Sequence, residues 1–423
     1  MGDILFVHNN FPGQFGFLAE TMRSKDRCAA IASTSGRKLP GVSMFQWKLA
    51  RGTTKGIFEP AVRAEADFLR AKVAADCALK LKKQGFDPEL IIGHPGWGET
   101  LFLKEIFPGA KQILHGEFYY HPSGADVGFD PEFGLPSLDD RFRVYAKNAT
   151  LSLAYGEAEQ IVCPTRFQAS LLPPAFAART RIIHEGVDTD SVKPIPDARL
   201  TLADGRVLDR STPVITFINR RFEPLRGFHI FMRALPDLLA AVPDAHVVLI
   251  GASDGSGYGG SAPNNKPWKQ NLLREVESRL DMTRVHFTGR LPYDQMLAAL
   301  SLSAAHVYYT YPFVLSWSAL EAMACECFVV ASDTAPVRDA IENNVNGVLL
   351  DFFDVEALSR MLIKACREPQ SFVGLRRAAR QTAIDRFDRT RICQPAWLRL
   401  IDDVRFGKQA SAQTAPARDA MME

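Results

Sequence analysis

Val214-Ile215-Thr216-Phe217-Ile218-Asn219-Arg220-Arg221-Phe222-Glu223-Pro224-Leu225-Arg226-Gly227-Phe228 passes from an unbroken apolar run through a polar, arginine-rich turn into a helix-like stretch, Phe228 to Ala241. A second apolar run, His246 to Ile250, follows. Strand, helix and strand in close succession predict a parallel pair joined by a crossover helix. Runs that are apolar throughout, rather than at alternate positions, belong to strands covered on both faces.

The same cycle repeats outward in both directions. Toward the C-terminus, strands are expected at Val285 to Thr288, His306 to Tyr309, Phe328 to Ala331 and Gly347 to Leu350. Toward the N-terminus they are expected at Ile4 to Val7, Ala29 to Ser33, Leu90 to Gly93, Gln112 to Leu114, Gln160 to Cys163 and Arg181 to His184. Helical spacing is clearest from Ala61 to Gln84, with Gly85 as the stop. From Val192 to Thr212 the pattern dissolves into Pro, Asp and Arg, and Asp204-Gly205 marks a small hairpin or turn.

A chain of 423 residues exceeds what one hydrophobic core serves. The expected fold is α/β, with two Rossmann-like doubly wound parallel sheets facing a central cleft, where ligands bind beyond the carboxyl ends of the strands. The expected division is a first domain at 1–190, a linker or hairpin at 191–212 and a second domain at 213–390. A C-terminal helix at 391–407 would pack back on the first domain, and a non-periodic tail at 408–423 would be disordered.

Lys plus Arg number 50 against 48 Asp plus Glu, so no basic field argues for nucleic acid and charge says nothing of partners. No apolar run is long enough to cross a bilayer. The opening Met1-Gly2-Asp3 leads straight into a strand rather than a signal peptide, so a cytoplasmic location is expected. The seven cysteines are scattered, and Cys325 and Cys327 lack zinc or redox spacing, so they read as reduced thiols, mostly in the core.

Phe11-Pro12-Gly13-Gln14-Phe15 lies between a strand and a helix, where N–H groups attract anions; Gly13 would admit a ligand to the backbone, or simply make an ordinary turn. Arg220, Arg221 and Arg226 crowd one strand end, and arginine offers planar, permanent, multi-donor contacts to phosphate; a solvated surface cluster is the plainer reading. Gly251 opens a glycine- and serine-rich loop to Gly260, which lacks the lysine and spacing of a Walker loop and reads first as a mobile loop. Glu321 is either the partner of Ser318 in a capping box or a carboxylate presented to ribose hydroxyls. His94 and His115 each end an expected strand and could reach the cleft, although a lone histidine is more often structural. His184-Glu185-Gly186-Val187-Asp188 reads as a turn near the domain border. No His-Glu-x-x-His or Gly-x-Ser-x-Gly pattern supports zinc hydrolysis or acyl transfer.

Taken together these segments resemble glycosyltransferase family 4, the retaining GT-B enzymes. Arg226-Gly227 is similar to the family's Lys-Gly pair that, with a preceding arginine, holds the donor diphosphate; Arg220 and Arg221 are joint candidates for that arginine. Val285-His286-Phe287-Thr288-Gly289-Arg290 resembles the strand end near the base, and Leu320-Glu321-Ala322-Met323-Ala324 the family's Leu-Glu-Ala-Met-Ala helix. Glu185-Gly186-Val187-Asp188 and Asn346-Gly347 match two further turns. Glu117-Phe118-Tyr119-Tyr120 and Gly128-Phe129-Asp130-Pro131-Glu132-Phe133 resemble a subgroup of the family.

Two departures stand out. Relatives carry two glutamates separated by seven residues; Glu321 fits the second, but Phe313 stands where the first would be, and Arg226 replaces the lysine. By resemblance, Glu321 holds the donor ribose and His115 touches the donor sugar. Sugar contacts otherwise due to the missing glutamate would come from the backbone N–H groups of Val314, Leu315 and Ser316, or from side chains such as that of Ser316. Gly13, Gly251, Gly289 and Arg290 complete the donor side, and His94 and Glu117 belong to the acceptor side.

The implied activity is metal-independent, cofactor-free transfer of a sugar, with anomeric retention, from a nucleotide diphosphate sugar, most simply UDP- or GDP-linked. The acceptor would be a glycan, a lipid-linked molecule or a small molecule in cell-surface glycan or glycolipid synthesis, which is compatible with loose contact at the inner face of the membrane. An inactive sugar-nucleotide-binding subunit and a nucleotide-sugar epimerase are the rival readings.

Overall fold

The structure, a computed structural model, describes residues 2–253, 257–259, 262 and 266–407. The tail at 408–423 and part of the loop after Gly251 lie outside them. The chain divides into two units, one made of Met1–Glu185 and the C-terminal helix, the other of Gly186–Ile392.

In the first unit, among the described residues, seven strands form one parallel sheet: β1 (Asp3–Val7), β2 (Arg27–Ser33), β3 (Val42–Trp47), β4 (Leu90–Gly93), β5 (Lys111–His115), β6 (Gln160–Cys163) and β7 (Thr180–Ile182). Their order is β3-β2-β1-β4-β5-β6-β7. The order reverses between β1 and β4, which pair from Ile4 with Leu90 to Val7 with Gly93. Ile4, Leu5, Phe6 and Val7 are all fully buried, as strands sandwiched between helices require. The helix Val62–Lys83 covers one face through Ala74, Ala78 and Leu81. Gln394–Phe406 covers the other through Trp397, Leu400, Ile401 and Val404.

The second unit opens with an antiparallel hairpin, β8 (Leu200–Thr201) and β9 (Val207–Leu208), turned by Gly205 at φ 86°. Its sheet contains β10 (Val214–Arg221), β11 (His246–Ala252), β12 (Val285–Gly289), β13 (Ala305–Tyr308), β14 (Val329–Ser332) and β15 (Val348–Leu350), in the order β12-β11-β10-β13-β14-β15. Here the order reverses between β10 and β13. Phe217 of β10 stacks on Phe231 of the helix Phe228–Ala241, with centroids 4.6 Å apart and planes 4° off parallel, and this fixes the crossover helix on the sheet.

Three differences from the sequence reading have physical causes. The hairpin expected within 191–212 forms, but the segment belongs to the second unit rather than linking two, because Val192, Ala198, Leu200, Leu202 and Leu208 are buried in that unit's core and the units change over at Glu185/Gly186. Val42–Trp47 is an edge strand that the apolar-run criterion missed, since Ser43 and Gln46 are exposed. β7 comes earlier than Arg181 to His184, leaving His184 beyond the strand. All seven cysteines are reduced and buried.

Candidate active site

In open parallel sheets ligands gather where the strand order reverses. In the first unit that position is occupied by His8 and His94, the residues immediately after β1 and β4, and by His115 at the end of neighbouring β5. The His94 ring centroid lies 5.3 Å from that of His8 and 5.2 Å from that of His115, and Trp97 packs 4.5 Å from His94. His8 was not singled out by the sequence reading, although the criterion applied to His94, an imidazole directly after an apolar run, fits it equally.

Hydrogen bonding assigns the tautomers. The Asn10 N–H donates to His8 Nδ1 at 2.9 Å, so Nε2 carries the proton and donates to Gln14 Oε1 at 2.6 Å. The Gln14 amide then donates to Glu117 Oε1 at 3.5 Å. His94 Nδ1 accepts from the Gly96 N–H at 3.1 Å, which turns Nε2 toward Glu117 Oε2, 3.3 Å away. His115 Nε2 lies 3.3 Å from Glu185 Oε1, while its buried Nδ1 has no protein partner among the described residues. Gly13 is explained by this packing: at φ 46°, a Cβ there would sit 2.5 Å from the His8 ring.

Burial holds the His8 and His115 rings neutral. It lowers His8 to about 3, with His94 adding to the effect, and His115 to about 4 against the pull of Glu185. Burial pushes Glu117 up, but His94, His115 and His8 outweigh it and bring the carboxyl down to about 2. Glu117 is therefore held below the usual carboxylate range and serves as a hydrogen-bond acceptor.

The neutral imidazoles set a pH dependence. A histidine lowered from 6.5 contributes its full stability above pH 6.5 and loses it as pH falls toward the folded-state value. His8, His115 and core His306, the last lowered by burial to about 3, act in this sense. Glu99 and Asp126, raised by burial to about 7 and about 6, oppose it more weakly. Thermal unfolding is expected to show a Tm that declines from pH 7 to pH 5, a net loss on the order of 2 kcal/mol; an unchanged Tm would contradict the assignment of neutral rings.

In the second unit the corresponding position lies beyond β10 and β13. The turn Pro224–Arg226 ends at Gly227 in the left-handed conformation, φ 68°, which swings the Arg226 side chain back across the end of β13. Arg226 is buried, and its Nη1 donates to Thr310 Oγ1 at 3.0 Å, to the Val314 carbonyl at 2.9 Å and to the Tyr308 hydroxyl at 3.4 Å. Phe313 lies against the guanidinium, with 5.5 Å from Cζ to the ring centroid. The hydrogen bonds of this side chain to described residues are all made by Nη1, leaving Nε and Nη2 without one. The same is true of the N–H groups of Val314 and Leu315. The Ser316 N–H is not available in this way, since it donates to the Tyr308 hydroxyl at 2.7 Å, so of the two routes expected for Ser316, backbone or side chain, the backbone one is excluded.

Ser316, not Ser318, caps the helix Trp317–Ala324, accepting from the Ser318 N–H at 3.3 Å. Glu321 therefore lies beyond the first turn and makes no capping box. Its Oε1 accepts from the Tyr293 hydroxyl at 2.8 Å, and burial raises its carboxyl above the usual range. Arg220 is exposed and donates to the Tyr258 hydroxyl at 3.2 Å, whereas Arg221 keeps a buried Nε without an acceptor among the described residues. Gly251 is set by strand packing: a Cβ would lie 2.1 Å from the Asn219 carbonyl oxygen. Gly289, at φ 70°, faces open space, and Arg290 beside it is exposed.

Two doubly wound units, each with polar groups gathered where its strand order reverses, define an α/β protein with ligand sites at the carboxyl ends of its strands. Residues 24–192 match the glycosyl transferase family 4 group and residues 204–385 match glycosyl transferases group 1. The chain belongs to glycosyltransferase family 4 and has the GT-B fold.

Among curated relatives, a GDP-mannose-dependent alpha-(1-6)-phosphatidylinositol monomannoside mannosyltransferase of Mycolicibacterium smegmatis is 28% identical over 56% of this chain and 60% of its own length. A D-inositol 3-phosphate glycosyltransferase of a Mycobacterium species is 29% identical over 47% of this chain and 43% of its own. The chain thus matches less than two thirds of the length of these relatives. Among solved structures, sucrose-phosphate synthase of Thermosynechococcus elongatus aligns with TM-score 0.70 and 16% identity, covering 95% of this chain and 99% of that one. Anabaena HepE, solved with UDP and glucose, aligns with TM-score 0.63 and 18% identity, covering 95% and 100%. No helix among the described residues is long and apolar enough to cross a membrane.

Proposed function

We propose that the protein moves a sugar from a nucleotide diphosphate sugar, UDP- or GDP-linked, to an acceptor hydroxyl with retention of anomeric configuration. The observation that carries this reading is Arg226: three bonds fix its Nη1 side, while Nε, Nη2 and the N–H groups of Val314 and Leu315 remain unspent at the reversal of strand order. Such donors, held before the reaction begins, stabilise negative charge growing on a departing diphosphate more than they stabilise the bound donor. Arginine supplies the positive charge, so the step needs no metal or other cofactor.

In this reading Glu321 receives the ribose hydroxyls through the oxygen not committed to Tyr293, and Arg220 or Arg221 adds a second phosphate contact. Gly289 and Arg290 flank the base. His115 offers its orphan Nδ1 lone pair to a hydroxyl of the donor sugar. His94 and Glu117 orient the acceptor, Glu117 accepting a hydrogen bond from its hydroxyl. Glycan, lipid-linked and small-molecule acceptors all fit this chemistry, with a cytoplasmic site of action at the inner face of the membrane for the lipid-linked class. The names of the mycobacterial relatives, which include a phosphatidylinositol mannoside and an inositol phosphate, support an acceptor of that kind.

Glu321→Ala is expected to raise the donor KM roughly tenfold with a smaller change in kcat, by removing contacts that bind the ground and transition states alike; steady-state kinetics check this. The activity itself is tested by incubation with a panel of UDP-, GDP- and dTDP-sugars and candidate acceptors, read by mass spectrometry, and by NMR of the new linkage, with and without EDTA. The account expects one donor to lose its nucleoside diphosphate and the product to keep the donor's anomeric configuration. Binding without turnover would favour an inactive subunit, isomerised sugar an epimerase, and an inverted product or loss of activity in EDTA would overturn retention or metal independence.

A further inference from the structure

We propose that Tyr308 is a positioning residue whose phenolic oxygen sets the diphosphate grip of Arg226 and locks it to the turn that follows β13. The inference rests on the reading of Arg226 as the diphosphate clamp. Tyr308 closes β13 and is 1% exposed, deep in the second unit's core. A tyrosine in such a place must find hydrogen-bond partners for its hydroxyl, and a phenylalanine would fill the same space without that requirement.

The partners found are both parts of the candidate phosphate site. The Tyr308 oxygen accepts from Arg226 Nη1 at 3.4 Å and from the Ser316 N–H at 2.7 Å. Ser316 is the residue whose side chain caps the helix carrying Glu321, so one oxygen joins the guanidinium on one side to the start of that helix on the other.

The geometry gives this oxygen a definite task. Thr310 and the Val314 carbonyl hold the same Nη1, and Phe313 lies on the guanidinium face. Together they fix the plane of the guanidinium and leave its Nε–Nη2 edge as the part available for bidentate contact with phosphate. The Ser316 bond fixes the turn that presents the Val314 and Leu315 N–H groups. Without the hydroxyl, the Ser316 N–H is left unpaired near the core and the turn is no longer pinned to the arginine, so the two groups of donors lose their common alignment. Tyr308 touches no phosphate itself and acts through Arg226 and the turn.

A double-mutant cycle on Tyr308→Phe and Arg226→Ala tests this, with calorimetric titration of UDP and GDP, each beside its monophosphate, into the full chain. Tyr308→Phe keeps the ring and is expected to weaken diphosphate binding roughly 5- to 10-fold while monophosphate binding changes less than about twofold. In the Arg226→Ala background the same substitution is expected to have almost no further effect. Thr310→Val, which removes another Nη1 acceptor, is expected to repeat the pattern and serves if Tyr308→Phe folds poorly. Equal losses for mono- and diphosphates, or an undiminished effect of Tyr308→Phe in the Arg226→Ala background, would overturn the positioning role while leaving the clamp in place. Diphosphate binding unchanged in Arg226→Ala alone would overturn the clamp reading and the positioning role with it.

Discussion

Arg226→Ala is expected to lower kcat/KM by roughly 10²- to 10³-fold, about 3–4 kcal/mol of transition-state stabilisation, the loss typical of a pre-aimed donor to developing negative charge. The effect should fall on kcat as well as KM, because charge on the diphosphate grows as the glycosidic bond breaks. Arg226→Lys should recover only part of it. Lysine restores the charge but cannot hold Thr310, Val314 and Tyr308 on one side while offering a bidentate edge on the other. Steady-state kinetics on the identified donor checks both variants; a loss confined to KM would mean that the arginine binds donor and transition state equally.

Gly227→Ala is the second large effect, and it falls on folding. The residue sits at φ 68°, where an L side chain is strained, and the added Cβ would lie 2.3 Å from Cβ of Tyr309, which is fully buried and cannot yield. Left-handed strain and overpacking together are expected to cost roughly 2–4 kcal/mol. Urea unfolding should show a lower midpoint for the second unit, with nucleotide binding lost alongside, since Gly227 is the turn that aims Arg226. A shift worth less than about 1 kcal/mol would contradict the packing described here.

What could be read from the sequence depended on how local the determining physics is. The helix Phe228–Ala241 matched its expected ends, because Pro224 and Gly227 mark its approach and an apolar face runs its length. β10 was recognised but runs three residues past Ile218, and so carries Arg220 and Arg221 as part of the strand. Its apolar signal stops where the sheet opens to the site. Val42–Trp47 was missed because an edge strand need not be apolar at every position.

The candidate site was legible as a set of positions but not as a set of bonds. Strand-end placement found His94, His115 and the arginines, and should have found His8. Two readings of Glu321 stayed open in the sequence, and packing removes the capping box, because the helix starts at Trp317 with Ser316 as its cap. The choice frees Glu321 to meet Tyr293, 28 residues away in sequence. Likewise, no local pattern reveals that the Ser316 N–H is spent on Tyr308, so the sequence overstated the donors available to a sugar. Phe313 was visible as a departure from the family; only the structure shows it lying against the arginine it accompanies.

A diphosphate held by the second unit is tested most directly by a crystal structure of the protein with the nucleoside diphosphate of its donor. The predicted result places the β-phosphate against Arg226 Nη2 and the N–H groups of Val314 and Leu315, with the ribose hydroxyls on Glu321. A nucleotide bound elsewhere, or one whose phosphates avoid Arg226 and that turn, would contradict it.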